Sequence, residues 1–315
     1  MHSRYLALIR GGILAWLLLL VAYAVPAYAR KQQAAVAKPT PDPTEYVGSN
    51  TCLGCHADKG AVMNGGPHAR KYNPNAPATE HSCEVCHGSG KAHVAEAVKT
   101  KSLSPNAVLP NEFSATCASC HDRMRSELWA GSQHDNRNVG CPTCHSIHTP
   151  QGKQALLKAK NETELCASCH RTIVNKTNRF AHMPLREGKM ACASCHDMHG
   201  SANVKLLRAG VTVDESCTSC HAEKRGPFLW EHAPVADSCV TCHDSHGSSN
   251  PGMLVAKQPY ICQRCHVTSR HPPTVYDGYL LKNSQNANKI YGHSCANCHS
   301  MIHGSDSPNG KAFLR

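Results

Sequence analysis

This sequence has little of what a hydrophobic core is normally built from. Aromatic residues make up 5% of its 315 residues, and its mean hydropathy is negative. Such a chain cannot bury enough apolar side-chain surface to offset the entropy lost on ordering, so its interior must be filled by something else. No apolar run after residue 29 is long enough for a transmembrane helix. No helical or strand period is sustained. That predicts short helices with irregular connections and almost no sheet. No cysteine is spare either: all 20 fall into one repeated pattern, leaving none for a disulfide or a nucleophile.

The pattern is Cys-x-x-Cys-His, found ten times. Its cysteine pairs are Cys52 and Cys55, Cys83 and Cys86, Cys117 and Cys120, Cys141 and Cys144, Cys166 and Cys169, Cys192 and Cys195, Cys217 and Cys220, Cys239 and Cys242, Cys262 and Cys265, and Cys295 and Cys298. Each pair is followed directly by a histidine: His56, His87, His121, His145, His170, His196, His221, His243, His266 or His299. Cysteines three apart lie on one side of a helical turn, where they can form thioethers to the two vinyl groups of one porphyrin. The adjacent histidine is then held beneath the iron, which is the attachment site of c-type haem. Zinc is the rival reading of paired cysteines, but ten repetitions, each with an adjoining histidine, argue against it. Ten covalent haems would supply the apolar mass that the side chains lack.

The motifs group into five two-motif repeats, 52–93, 117–148, 166–199, 217–246 and 262–303. Each repeat has a lone histidine between its motifs: His68, His134, His182, His232 and His271. Each has another shortly after its second motif: His93, His148, His199, His246 and His303. These ten match the number needed as second axial ligands, giving bis-His haems throughout. His148, His199 and His246 each lie three residues after a motif histidine that already occupies one face of its haem. They cannot reach the opposite face of that ring and must serve a different haem. His81 and His293, each two residues before a motif cysteine, are left without a role. Eight methionines do not follow the repeat, so they are read as packing rather than as axial ligands.

The formal charge of +11 resembles a nucleic-acid signal, yet residues 1–29 carry Arg4 and Arg10 and no acid, so the remainder is +9. With two propionates per haem, ten bis-His haems would bring that to about −1 oxidised and about −11 reduced. No aromatic interleaving for nucleic acid is present. At the N-terminus, Arg4 and Arg10, the 13-residue apolar run from Ile13 to Val25 and the small-x-small sequence Ala27-Tyr28-Ala29 read as an export signal, cleaved after residue 29. Residues 30–47, with Pro39, Pro41 and Pro43, read as a disordered tether, and 48–315 as one haem-bearing domain. The stretch between His266 and Cys295, with Pro272, Pro273 and Gly278, reads as a surface loop.

With its ten motifs and patterned histidines, the chain resembles the periplasmic decahaem cytochromes of the MtrA/DmsE type. The resemblance is densest in Cys217-Thr-Ser-Cys-His-Ala-Glu-Lys-Arg-Gly-Pro-Phe-Leu-Trp-Glu-His-Ala-Pro234, in Cys239-Val-Thr-Cys-His243 with His246-Gly-Ser, and in Cys295-Ala-Asn-Cys-His299 with His303-Gly-Ser and Gly310-Lys-Ala-Phe-Leu-Arg315. It implies a multihaem cytochrome c fold, an elongated stack of ten covalent haems. It also implies an electron wire seated in an outer-membrane β-barrel porin. Such a wire exchanges electrons between periplasmic or inner-membrane donor cytochromes and an outer-surface cytochrome, reductase or extracellular metal. Ten macrocycles in line can exceed the ~30 Å hydrocarbon thickness, and a haem with two protein ligands has no open site for substrate. No enzymatic role is therefore expected. The alternatives are a free periplasmic shuttle and a multihaem reductase, which would want a haem lacking one ligand.

Overall fold

The computed structural model describes residues 43–63, 65–96, 108–123, 126–152, 154–266 and 293–314. The export signal, most of the tether, the spacer 97–107 and the loop 267–292 with His271 lie outside the described residues. The chain divides into two compact bodies, one ending at His121 and the other running from Asp122 onwards.

Short helices and isolated bridges account for the regular structure. The first motif of every repeat sits at the C-terminal end of a short helix: α1 (Ser49–Leu53), α2 (Pro110–Ala118), α3 (Glu162–Ala167), α4 (Val213–Thr218) and α5 (Tyr260–Gln263). Their starts are written locally. Pro110 opens α2, where a missing N–H costs nothing. Asn161 Oδ1 accepts from Glu164 N at 2.9 Å to cap α3. Thr212 and Glu215 form a reciprocal capping box on α4. Each second motif is a single turn, at Cys83–His87, Cys141–Cys144, Cys192–Ser194, Cys239–Thr241 and Cys295–Asn297. Among the described residues the only pairing of β type is five isolated antiparallel bridges. As the sequence predicts, the chain is mostly irregular with short helices.

The side-chain interior is as thin as the composition requires. Among the described residues, the buried apolar side chains are Ala76, Phe113, Leu206 and Leu207. Buried polar groups tie segments instead. Glu84, 2% exposed, accepts from Val47 N, Gly48 N and Gly90 N at 3.1, 3.0 and 2.8 Å, which anchors the N-terminal segment to the second motif. Asp214 on α4 accepts from Cys239 N at 2.7 Å and thereby holds the next motif in place.

The His-Gly-Ser sequences after the second motifs of repeats three to five make a recurrent crossing. Gly200, Gly247 and Gly304 have φ of +126°, +114° and +139°. A Cβ there would lie 1.9 Å from Leu128 O, 2.5 Å from Lys176 O and 2.1 Å from Phe228 Cδ2 respectively. Only glycine lets these loops lie against the preceding repeat, where Phe180 bridges Ser248 and Trp230 bridges Ser305. Gly247→Ala is expected to lower stability by at least about 2 kcal/mol, from backbone strain plus the clash. Gly252→Ala, also at positive φ but with nothing within 4 Å, should cost only about 1 kcal/mol. Thermal unfolding of the two variants side by side measures the difference. Equal midpoints would show that the crossing is not tight.

Candidate functional site: facing histidines and neighbouring cysteines

Every described motif closes in the same way. The N–H of the motif histidine donates to the carbonyl of the first cysteine, for example His56 to Cys52 at 2.9 Å, His170 to Cys166 at 2.8 Å and His299 to Cys295 at 2.8 Å. This single helical turn gathers both thiols and the imidazole at one place.

In repeats two to five a loop then returns to the second motif. His145 Nδ1 donates to Ala155 O at 2.6 Å, His196 to Lys205 O at 2.9 Å, His243 to Gly252 O at 2.8 Å and His299 to Ala312 O at 2.6 Å. A carbonyl can only accept, so the proton sits on Nδ1 and Nε2 is the nitrogen with a lone pair to offer a metal. The loop is held by residues with positive φ: Leu156, Leu206, Met253 and Phe313. Sequence reasoning missed these loops. Their signal is an apolar pair after each second motif: Leu156-Leu157, Leu206-Leu207, Met253-Leu254 and Phe313-Leu314.

The lone histidines face motif histidines. His93 faces His56 with ring centres 6.3 Å apart, and His68 faces His121 at 6.0 Å. In the second body the pairs are His134 with His170 (6.3 Å), His199 with His145 (6.0 Å), His182 with His221 (6.5 Å), His246 with His196 (6.1 Å), His232 with His266 (6.1 Å) and His303 with His243 (6.1 Å). A metal–imidazole bond of ~2.0–2.1 Å on each side, with about 1 Å more from each nitrogen to its ring centre, spans about 6 Å. The gaps therefore fit one metal atom and a flat macrocycle. Direct ring stacking looks different: His81 lies on Tyr46 at 3.7 Å, with no room between them. His293 is exposed. The other histidines singled out from sequence are His87, His148, His299 and His271, the last outside the described residues.

The register is regular. A histidine between motifs faces the first motif of the next repeat, as His134 faces His170. In repeats three to five, one after a second motif faces the second motif of the preceding repeat, as His246 faces His196. Backbone carbonyls orient some of these rings too, Met198 O for His134 at 3.2 Å and Ile302 O for His232 at 3.0 Å. Burial holds His68, His232, His246 and His303 below the ordinary histidine pKa, with neighbouring charges adding to it. That keeps them neutral, as metal ligation requires.

The thiols alternate. Within a repeat the first cysteines meet, Cys52 with Cys83, Cys166 with Cys192, Cys217 with Cys239 and Cys262 with Cys295. Between successive repeats of the second body the second cysteines are neighbours, Cys144 with Cys169, Cys195 with Cys220 and Cys242 with Cys265. Burial, and then Asp214, pushes the Cys239 thiol up to about 12. The hydrogen bond with Cys166 instead draws the Cys192 thiol down to about 7. Glu162, Cys166 and Cys192 place ligand-type atoms within 4.8 Å of one another, but both cysteines belong to motifs and Glu162 accepts from Ala193 N.

The chain is similar to known multihaem cytochromes. The family described as "Doubled CXXCH motif" matches residues 182–226 and 232–271. "Cytochrome c-type protein NrfB-like" matches 83–169, and "Cytochrome c554 and c-prime" matches 21–88. The chain is 37% identical to multiheme cytochrome MtrA of Shewanella baltica over 279 residues, 85% of this chain and 81% of that one. It is 32% identical to cytochrome c-type protein NrfB of Escherichia coli over 124 residues, 38% of this chain and 63% of that one. The fold and motifs make this an electron-transfer protein carrying c-type haem, and the chain belongs to the MtrA family of multihaem cytochromes.

Proposed function

We propose that this chain is a ten-haem electron conduit, carrying electrons across the periplasm and outer membrane inside a β-barrel porin. The observation that carries the reading is the alternation of the cysteines. From Cys144 to Cys295 every successive pair of motifs in the second body brings one cysteine from each into electrostatic reach of the other, hydrogen-bonded within repeats three to five. Groups attached there follow one another without a break.

Each haem iron, when bound, takes up and releases one electron. The protein's part is to hold two neutral imidazoles on either side of that iron. The motif histidine comes from a helical turn, and its Nδ1–H is fixed on a backbone carbonyl in the second motifs of repeats two to five. The facing histidine comes from a neighbouring repeat in seven of the eight pairs described, His56 with His93 being the exception. With both histidines as ligands, the haems held by these eight pairs would keep no open position for a substrate, which argues against a reductase. If the same two rings held the iron in both oxidation states, the protein would have little to move when an electron passes.

The N-terminal sequence, read as an export signal, supports a periplasmic location. Among the described residues no helix is long and apolar enough to cross a membrane; the proposed route through the outer membrane runs inside a barrel partner. The charge, about −1 when oxidised by the reckoning above, suits a polar barrel lumen. An outer-surface multihaem cytochrome or reductase is the expected partner beyond the barrel, with periplasmic or inner-membrane cytochromes behind it. Reconstitution in liposomes with an external reductant and an enclosed acceptor tests this. Electrons should cross only when cytochrome and barrel are both present. Equal transfer through the empty barrel contradicts the conduit, and a cytochrome that never binds the barrel yet accepts electrons freely is instead a soluble shuttle.

A further inference from the structure

Trp129 does not fit the pattern set by the rest of the molecule. Its indole lies against His199, ring centres 6.4 Å apart and tilted by 59°, and His199 is the ring that faces His145. The segment carrying it is pinned there, since Gly200 packs on Leu128 O. The Nε1–H is buried from solvent and meets no acceptor among the described residues. A buried donor left unsatisfied costs ~1–3 kcal/mol, and buried tryptophans nearly always find a partner. The other described tryptophan does: Trp230 occupies the corresponding crossing in repeats four and five, and its Nε1 donates to Ser307 O at 2.9 Å.

An acceptor that the described residues do not supply would satisfy Trp129. A haem seated between His145 and His199 brings two carboxylates, strong acceptors, into the space beside His199. We propose that the Trp129 indole N–H donates a hydrogen bond to a propionate of that haem, the one attached at Cys141 and Cys144, and so raises its reduction potential. This rests on the reading of His145 and His199 as its axial pair. A donor on the propionate draws negative charge away from the iron and favours the ferrous state, because the added electron then meets less repulsion. Trp129 touches no iron and is a tuning residue, one haem among ten being singled out by it.

Trp129→Phe keeps the ring and removes the donor. In the holoprotein, titrated potentiometrically and followed by electron paramagnetic resonance, the haem count and the low-spin signals should be unchanged. One component should shift downward by roughly tenfold in its reduction equilibrium, about 59 mV for a one-electron couple. Trp230→Phe, whose donor serves Ser307, should shift none. Should Trp129→Phe fail to fold, ultraviolet resonance Raman of Trp230→Phe reports the Trp129 indole directly, and a strongly hydrogen-bonded N–H that strong oxidant or reductant perturbs is the expected signature. Unchanged potentials in Trp129→Phe, or an indole with a free or redox-insensitive N–H, overturns the proposal. Appearance of a high-spin haem in His199→Ala without any change at Trp129 would leave the axial pair standing and remove only the hydrogen bond.

Discussion

Replacing His199 by Ala is expected to leave the number of attached haems unchanged and to turn one of them high-spin. The haem affected is the one attached at Cys141 and Cys144, although the motif nearest in sequence is Cys192-Ala-Ser-Cys-His196. The reason is geometric. His199 faces His145 at 6.0 Å with planes 15° apart, while His196 is faced by His246 at 6.1 Å. A double-variant test assigns the pair. Once Cys141 and Cys144 are changed to Ser and that haem is lost, His199→Ala should add no high-spin signal. With Cys192 and Cys195 changed instead, it should still add one. If the signal vanishes in the second background and persists in the first, the register of the repeats is wrong.

The second large effect concerns folding. The chain made without its haems is expected to have little helix and no cooperative unfolding transition. Burying a large apolar side chain contributes ~1.5–3 kcal/mol, whereas ordering the backbone costs ~1–2 kcal/mol for every residue. Ala76, Phe113, Leu206 and Leu207, the buried apolar side chains among the described residues, cannot offset that. Helices of five to nine residues such as α1 and α2 do not stand alone in water either. Residues 30–315 produced in the cytoplasm, where haem is not attached, can be compared with the exported protein by far-ultraviolet circular dichroism on heating. A cooperative transition in the haem-free chain would mean that the side chains hold the fold after all.

How much of this was legible beforehand follows from the chemistry involved. Thioether attachment fixes the spacing of Cys217, Cys220 and His221 along the chain, so motifs, cofactor and the scarcity of sheet can be read directly. A facing histidine is fixed by position in space, and nothing in the spacing of His182 says that it will face His221 rather than His170. The exclusion argument, that His199 and His246 are too near His196 and His243 to serve the same ring, narrows the choice without making it. What completes it is the crossing of Gly200 and Gly247 over the preceding repeat, which depends on a φ above +110° and on the absence of a Cβ. The return loops that orient His145, His196 and His243 escaped notice because their acceptors are backbone carbonyls, which carry no residue signature; only the apolar pairs such as Leu206-Leu207 mark them. His81 was set aside because its repeat had histidines enough, and its flat contact with Tyr46 gives a reason that no count could.

The most direct test is electron paramagnetic resonance of the fully oxidised, intact protein at low temperature, with the haem count fixed by intact mass. Ten haems, each between two imidazoles, give low-spin iron only. Ring planes near parallel, as in His196 with His246 at 7°, should give ordinary rhombic signals. The near-perpendicular pairs, His68 with His121 at 73° and His134 with His170 at 66°, should give the strongly anisotropic type. A large high-spin ferric signal from the native protein, or fewer than ten haems by mass, would contradict the account.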